Sequence, residues 1–221
     1  MLSLGAVRLG WLRPDIADAA TLARWQALLS PEERDRAARF HFESDRRAYT
    51  AAHALKRQML ADQGGLPPAA WRFVTGPAGK PEVEPALDRA WLRFSLSHCR
   101  SLVACAVAAT DDVGLDVEAL SRPALTPGLA DRFFAPEEAA MLRALPPPEQ
   151  PSAFLQIWTL KESFVKATGH GIGLGLERFA FALDPPRLRF VPPEAGPLAA
   201  WRIAQWQPLP GHWLALALRR L

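Results

Sequence analysis

In Val113-Gly114-Leu115-Asp116-Val117-Glu118 the apolar residues take alternate positions. A strand here puts Val113, Leu115 and Val117 on one face, and Asp116 with Glu118 on the other. Their Cα atoms would lie about 7 Å apart, near enough for both carboxylates to converge on one cation. A half-exposed strand with polar residues outward is the alternative. Further along, Ile157, Leu160, Phe164 and Ala167 form an apolar helical stripe, while Trp158, Glu162 and Lys166 follow one another a turn apart on the opposite side. An ordinary Glu–Lys pair accounts for two of these, but a Trp on a polar face needs something to cover it. The chain has 22 arginines and four lysines, and Lys161 and Lys166 fall within six residues. A chain that otherwise chooses Arg is using compact ammonium charges here, as phosphates favour. Three oxygen-bearing side chains with no His or Cys nearby suit a hard cation. Mg²⁺ takes one or two carboxylates and completes its shell with water and phosphate oxygens, so a phosphate ligand is expected beside Asp116, Glu118 and Glu162. Lys80 in Gly79-Lys80-Pro81, Ser97-His98, and Arg36, Arg46 and Arg47 on basic helices are candidates to bind it.

The elements that must position these residues read as two similar halves. In the first, a strand is expected over 4–9, a helix over 18–29, a Ser30-Pro31-Glu32-Glu33 capping box, and a long helix over 44–63 stopped by Gly64-Gly65. Strands follow at 72–75, 91–95 and 102–108. The last is expected to join 113–118 as a hairpin through Thr110-Asp111-Asp112. Ala135-Pro136-Glu137-Glu138 then opens a helix as Ser30-Pro31-Glu32-Glu33 did, and a longer helix over 152–168 ends at Gly169. Pro31 and Pro136, Lys56 and Lys161, Gly64 and Gly169 are each 105 residues apart, with seven identities over 36 aligned positions. Strands at 179–183, 201–205 and 212–218 complete the second half. The expected fold is α+β: halves 1–105 and 106–221 related by a pseudo-two-fold, each a small antiparallel sheet packed with helices. At matched positions Arg57 faces Glu162 in the alignment, so the halves differ in charge where they correspond, which suits a polyanion held with a divalent cation. Gly169 to Gly175 is glycine-rich but closes a helix instead of opening one, so it is no dinucleotide fingerprint.

Composition bounds the partners. The 221 residues carry 26 basic and 23 acidic side chains, a net charge of +3, too weak a field for a nucleic-acid-binding surface. Residues 1–105 hold 15 basic and 11 acidic groups, against 11 and 12 in the remainder. Two cysteines exclude a disulfide framework. No stretch has the apolar length of a membrane span, and the first residues lack the pattern of a secretory signal. A soluble cytoplasmic monomer is expected, without nucleic-acid or membrane partners.

Phe94-Ser95-Leu96-Ser97-His98, Gly114-Leu115-Asp116-Val117-Glu118, Arg132-Phe133-Phe134 and Trp158-Thr159-Leu160-Lys161-Glu162 through Gly169 together resemble the 4′-phosphopantetheinyl transferases. Gly79-Lys80-Pro81 and the Ser30-Pro31-Glu32 helix start also match, so the likeness covers about residues 30–185. It points to the long, monomeric, two-half type that activates modular synthases. The resemblance implies transfer of the phosphopantetheine arm of coenzyme A to a serine of an acyl or peptidyl carrier protein, releasing 3′,5′-ADP. It further implies that Asp116, Glu118 and Glu162 hold Mg²⁺ and that Glu162 accepts the serine proton. Lys166 and Lys161 would offset phosphate charge, and Lys80, Ser97 and His98 would contact the nucleotide end. The 1–105 half then forms the coenzyme A side and the 106–221 half the catalytic side. Three departures stand out: Ser95 replaces the usual Asn, Cys99 a common Ser, and Glu33 a phosphate-facing Lys of some members. The last assigns the phosphates to Arg36, Arg46 or Arg47. Carrier docking is expected over 125–145, beside Arg132 and Arg143. From the residues alone, a binding module without turnover and a Mg²⁺-dependent phosphohydrolase remain open.

Overall fold

The computed structural model describes residues 2–4, 7–76, 79–121 and 127–220. The chain divides into two units, Met1–Asp111 and Asp112–Leu221. Unit 1 runs β1 (Leu2–Leu4), β2 (Val7–Leu12), α1 (Ala19–Leu28), α2 (Pro31–Ala38), α3 (Glu43–Gly64), β3 (Phe73–Thr75), β4 (Pro81–Val83), β5 (Leu92–His98) and β6 (Val103–Ala109). Its main sheet is antiparallel in the order β1-β2-β6-β5, and β3 and β4 form a separate ribbon. The Val-Ala-Cys-Ala-Val-Ala run of β6 is buried throughout, as a central strand demands. Small buried residues at Ala48, Ala51 and Ala52 let α3 lie close on this sheet, with Val103 of β6 in the same cluster. The capping box forms: Ser30 Oγ accepts from Glu33 N at 3.3 Å, and Glu33 Oε2 from Ser30 N at 3.2 Å. Gly65, at φ 72°, ends α3.

Unit 2 runs β7 (Asp112–Ala119), α4 (Pro127–Phe133), α5 (Pro136–Ala144), α6 (Gln150–Thr168), β8 (Ala180–Leu183), β9 (Pro186–Phe190), β10 (Trp201–Trp206) and β11 (His212–Arg219). Its antiparallel sheet has the order β10-β11-β7, and β8 pairs with β9. α6 packs on β7 and β11 over a core of Leu160, Phe164, Phe179, Ala215 and Ala217, with Trp201 at its edge. The mixed helices and small antiparallel sheets agree with the expected α+β class.

The expected hairpin between residues 102–108 and 113–118 is not formed. β6 is occupied on both edges by β2 and β5, while β7 takes β11, eight residues in register from His212↔Ala119 to Arg219↔Asp112. Thr110, left-handed at φ 67°, marks the hand-over from one sheet to the other. The division therefore falls between Asp111 and Asp112, beyond residue 105, because β6 belongs whole to the first sheet. Gly5 and Ala6 of the expected first strand, and Leu125 and Thr126 of the expected docking segment, lie outside the described residues.

Candidate active site

β7 and α6 bring the catalytic candidates of unit 2 together. A Cβ added to Gly114 would sit 1.9 Å from Ser163 O and 2.4 Å from Ala167 N, so the α6 backbone lies directly over this strand position. Alternation then puts Asp116 and Glu118 on the same, α6-facing side. Opposite them on β11, Ala217 pairs with Gly114 and Ala215 with Asp116, so that face is lined by small residues there, while Trp213 pairs with Glu118. This corrects the reading of β7 as having one core face and one open face: Leu115 and Val117 are buried, and so is Asp116, at 5% exposure. Lys166, in the last turn of α6, donates from Nζ to Asp116 Oδ1 at 2.7 Å and to Leu115 O at 3.1 Å. Glu162, half-buried, lies one turn before it, and Glu118 is likewise half-buried. Trp158, the third residue of this stripe, is covered by protein: its ring stacks on Phe154 at 6.0 Å and tilts against Phe134 at 6.4 Å. Among the described residues no three His, Cys, Asp or Glu side chains stand together as a ready-made metal cage.

Lys161 does not face phosphate. It is fully buried, and its three donors are used by Glu138 Oε2 at 2.7 Å, Leu176 O at 2.7 Å and Phe179 O at 2.6 Å. Its ammonium also lies 4.4 Å from the Phe179 ring centroid. The sequence assignment failed because helical spacing does not reveal that the residue before Glu162 turns fully into the core.

In unit 1 the predicted nucleotide contacts are spread. Ser97 is buried on β5 and His98 is exposed at its end, and strand alternation sends the two side chains to opposite faces. Lys80 is half-exposed between Gly79 and the start of β4. Arg36 is exposed on α2, 5.8 Å from the Tyr49 ring, beside a cavity of about 650 Å³. Arg47 donates to Pro14 O at 3.1 Å and to Ala17 O, and lines a cavity of about 300 Å³ with Arg100 and Ser101. Arg46 pairs with Glu43. Near the expected docking segment, Arg143 pairs with Asp131 and Arg132 lies over the Phe133 ring.

Residues 112–217 match the 4′-phosphopantetheinyl transferase superfamily, and residues 17–110 match the family described as 4′-phosphopantetheinyl transferase, N-terminal. The chain is 35% identical to 4′-phosphopantetheinyl transferase HetI of Nostoc sp., over 92% of its own length and 91% of that protein. The chain belongs to the 4′-phosphopantetheinyl transferase superfamily. It is 33% identical to 4′-phosphopantetheinyl transferase Sfp of Bacillus subtilis, over 72% of this chain and 69% of that one. It is 29% identical to the human L-aminoadipate-semialdehyde dehydrogenase-phosphopantetheinyl transferase, over 72% and 54%. The transferase is thus an enzyme that moves the phosphopantetheine of coenzyme A to a carrier-protein serine.

The transferase also contains a buried cluster that the sequence reading missed. Glu33 Oε1 meets His53 Nδ1 at 2.7 Å and Lys56 Nζ at 3.0 Å, while Oε2 accepts from Arg57 Nε at 2.5 Å. Burial alone would raise the Glu33 carboxyl, but His53, Lys56 and Arg57 hold it far below the usual carboxylate range. Burial, with Lys56 and Arg57 nearby, lowers His53. Glu33 therefore anchors unit 1 and faces no ligand phosphate. The available signal was the 105-residue repeat, which aligns Glu33 with Glu138 and Lys56 with Lys161.

Proposed function

We propose that the transferase makes holo-carrier protein in a Mg²⁺-dependent reaction centred on Asp116, Glu118, Glu162 and Lys166. The carrier serine Oγ attacks the phosphorus that bears the pantetheine arm. The new Oγ–P bond replaces the P–O bond to the nucleotide, 3′,5′-ADP leaves, and Glu162 takes the serine proton. A serine hydroxyl is a weak nucleophile at neutral pH, so a positioned carboxylate base is needed. Lys166 sets its ammonium beside the reacting phosphates, and positioning with charge neutralisation is most of what phosphoryl transfer requires.

The donor chemistry fits the metal. Asp116, Glu118 and Glu162 offer oxygen alone, and a cation already sits on Asp116 Oδ1 in the form of Lys166 Nζ, 2.7 Å away. An ion held here would take one or two of these carboxylates and leave its other positions to water and phosphate. Mg²⁺, when bound, neutralises the pyrophosphate. Lys80, Ser97, His98, Arg36 and Arg47 of unit 1 serve the nucleotide end, and Lys161 is withdrawn from that role. The carrier is an acyl or peptidyl carrier protein. The transferase works as a cytoplasmic monomer without nucleic-acid or membrane partners. Among the described residues, no helix is long and apolar enough to cross a membrane.

The observation that carries this reading is the Lys166–Asp116 pair under α6, in a chain of this family. Intact-mass measurement of an apo-carrier after incubation with coenzyme A and Mg²⁺ tests it. The carrier gains the mass of the arm, and a chelator abolishes the gain. A carrier of unchanged mass overturns the proposal, and phosphate released without carrier points to a hydrolase instead.

A further inference from the structure

The transfer chemistry leaves one buried ion pair unused. Glu138 accepts from Ala135 N at 3.0 Å, from Phe181 N at 2.8 Å and from Lys161 Nζ at 2.7 Å. Lys161 in turn holds Leu176 O and Phe179 O. One joint thus ties the start of α5, the segment at 176–179 and the start of β8 to a single residue of α6. Successive residues of a helix lie about 100° apart, so clamping Lys161 at three points fixes the azimuth of Glu162 beside it and of Lys166 beyond.

Unit 1 contains the same joint 105 residues earlier, between Glu33 and Lys56. There the residue after the lysine, Arg57, turns inward and pairs with the same carboxylate. In unit 2 that position is Glu162, which has the same sign as Glu138. Glu162 cannot add a second cation there as Arg57 does, so among the described residues Lys161 is the side-chain cation paired with Glu138.

We propose that Glu138 and Lys161 are positioning residues for transfer: their pair sets the rotation of α6 and so holds Glu162 and Lys166 in the productive arrangement. The inference rests on the site reading above. Lys161→Met, Glu138→Gln and the double variant K161M/E138Q test it. The double variant leaves no bare buried charge, so it recovers melting temperature relative to Lys161→Met. Its kcat nevertheless stays about 10²-fold low, while KM for coenzyme A moves less than about threefold. Mn²⁺ binding in the presence of coenzyme A without carrier, read from the free-ion EPR signal, weakens about tenfold, a change that a smaller folded fraction does not produce. Glu138→Gln keeps the size and most hydrogen bonding of the joint and shows the same direction of change. A folded double variant, or a folded Glu138→Gln, with wild-type kcat and Mn²⁺ affinity overturns the proposal. Glu162→Gln, measured alongside, separates the two readings. If it is inactive while the joint variants are fully active, the strut alone fails; if it is fully active, the site reading fails and the strut with it.

Discussion

Lys161 and Lys166 lie five residues apart on one helix and have opposite surroundings. Lys161 is sealed among Phe134, Phe179 and Glu138, whereas Lys166 reaches Asp116 from a half-exposed position. That contrast leaves only Lys166 as a candidate for the proposed chemistry and gives Lys161 to the architecture. Glu162→Gln and Asp116→Ala are expected to lower transfer by about 10²-fold or more, because each removes a carboxylate from the proposed reacting centre. Carrier mass after a timed reaction reads the loss, and circular dichroism checks that the fold persists; wild-type rates in either variant dismantle the site. Glu33 is expected to behave differently. Glu33→Ala strands Lys56 and Arg57 as buried, unopposed cations, and losing one partner of a buried pair costs about 3–5 kcal/mol. A denaturant midpoint within error of wild type would contradict that.

α6 and β7 can approach only because Gly114 has no side chain. Ser163 O and Ala167 N occupy the space that a Cβ would need, and neither backbone atom can swing aside. Gly114→Ala must push the helix off the strand. Overpacking of this kind costs about 3 kcal/mol, and the displacement separates Lys166 from Asp116. The expected result is a lower melting temperature together with lost activity; an alanine variant that melts and turns over normally would mean that the helix–strand distance is looser than the structure has it. The elements themselves were largely legible: both capping-type helix starts, both glycine stops and the 105-residue spacing follow from local chemistry. Strand partners were not. The turn-like Thr110-Asp111-Asp112 suggested a hairpin, but β7 pairs with β11, nearly 100 residues away in sequence, because β6 has no edge left to offer.

For the whole molecule, pH is the lever that separates the units. Glu33, held below its ordinary value of 4.5, contributes stability that is complete above that pH and lost as pH falls below it. His53, lowered from 6.5, has the same sign: its contribution is complete above 6.5 and declines as the pH drops, since the unfolded chain takes the proton more readily. Thermal stability of the unit 1 core should therefore fall from about pH 7.5 to about 5, and His53→Phe, which keeps the stack on Tyr49, should flatten that limb. Hydrogen exchange in α3 resolves it from unit 2; parallel pH curves for the two proteins would remove His53 from the account.

The α+β class and the candidacy of Asp116, Glu118, Glu162 and Lys166 were available from residue types at fixed spacings, since alternation and helical periodicity are local properties of the chain; the family was legible only through the resemblance of its motifs to known transferases. Which lysine is buried, which strand β7 joins and what encloses Glu33 were decided by tertiary packing. Burial and long-range pairing depend on elements far apart in sequence, and a three-donor ammonium such as Lys161 goes wherever the fold supplies acceptors for all its protons.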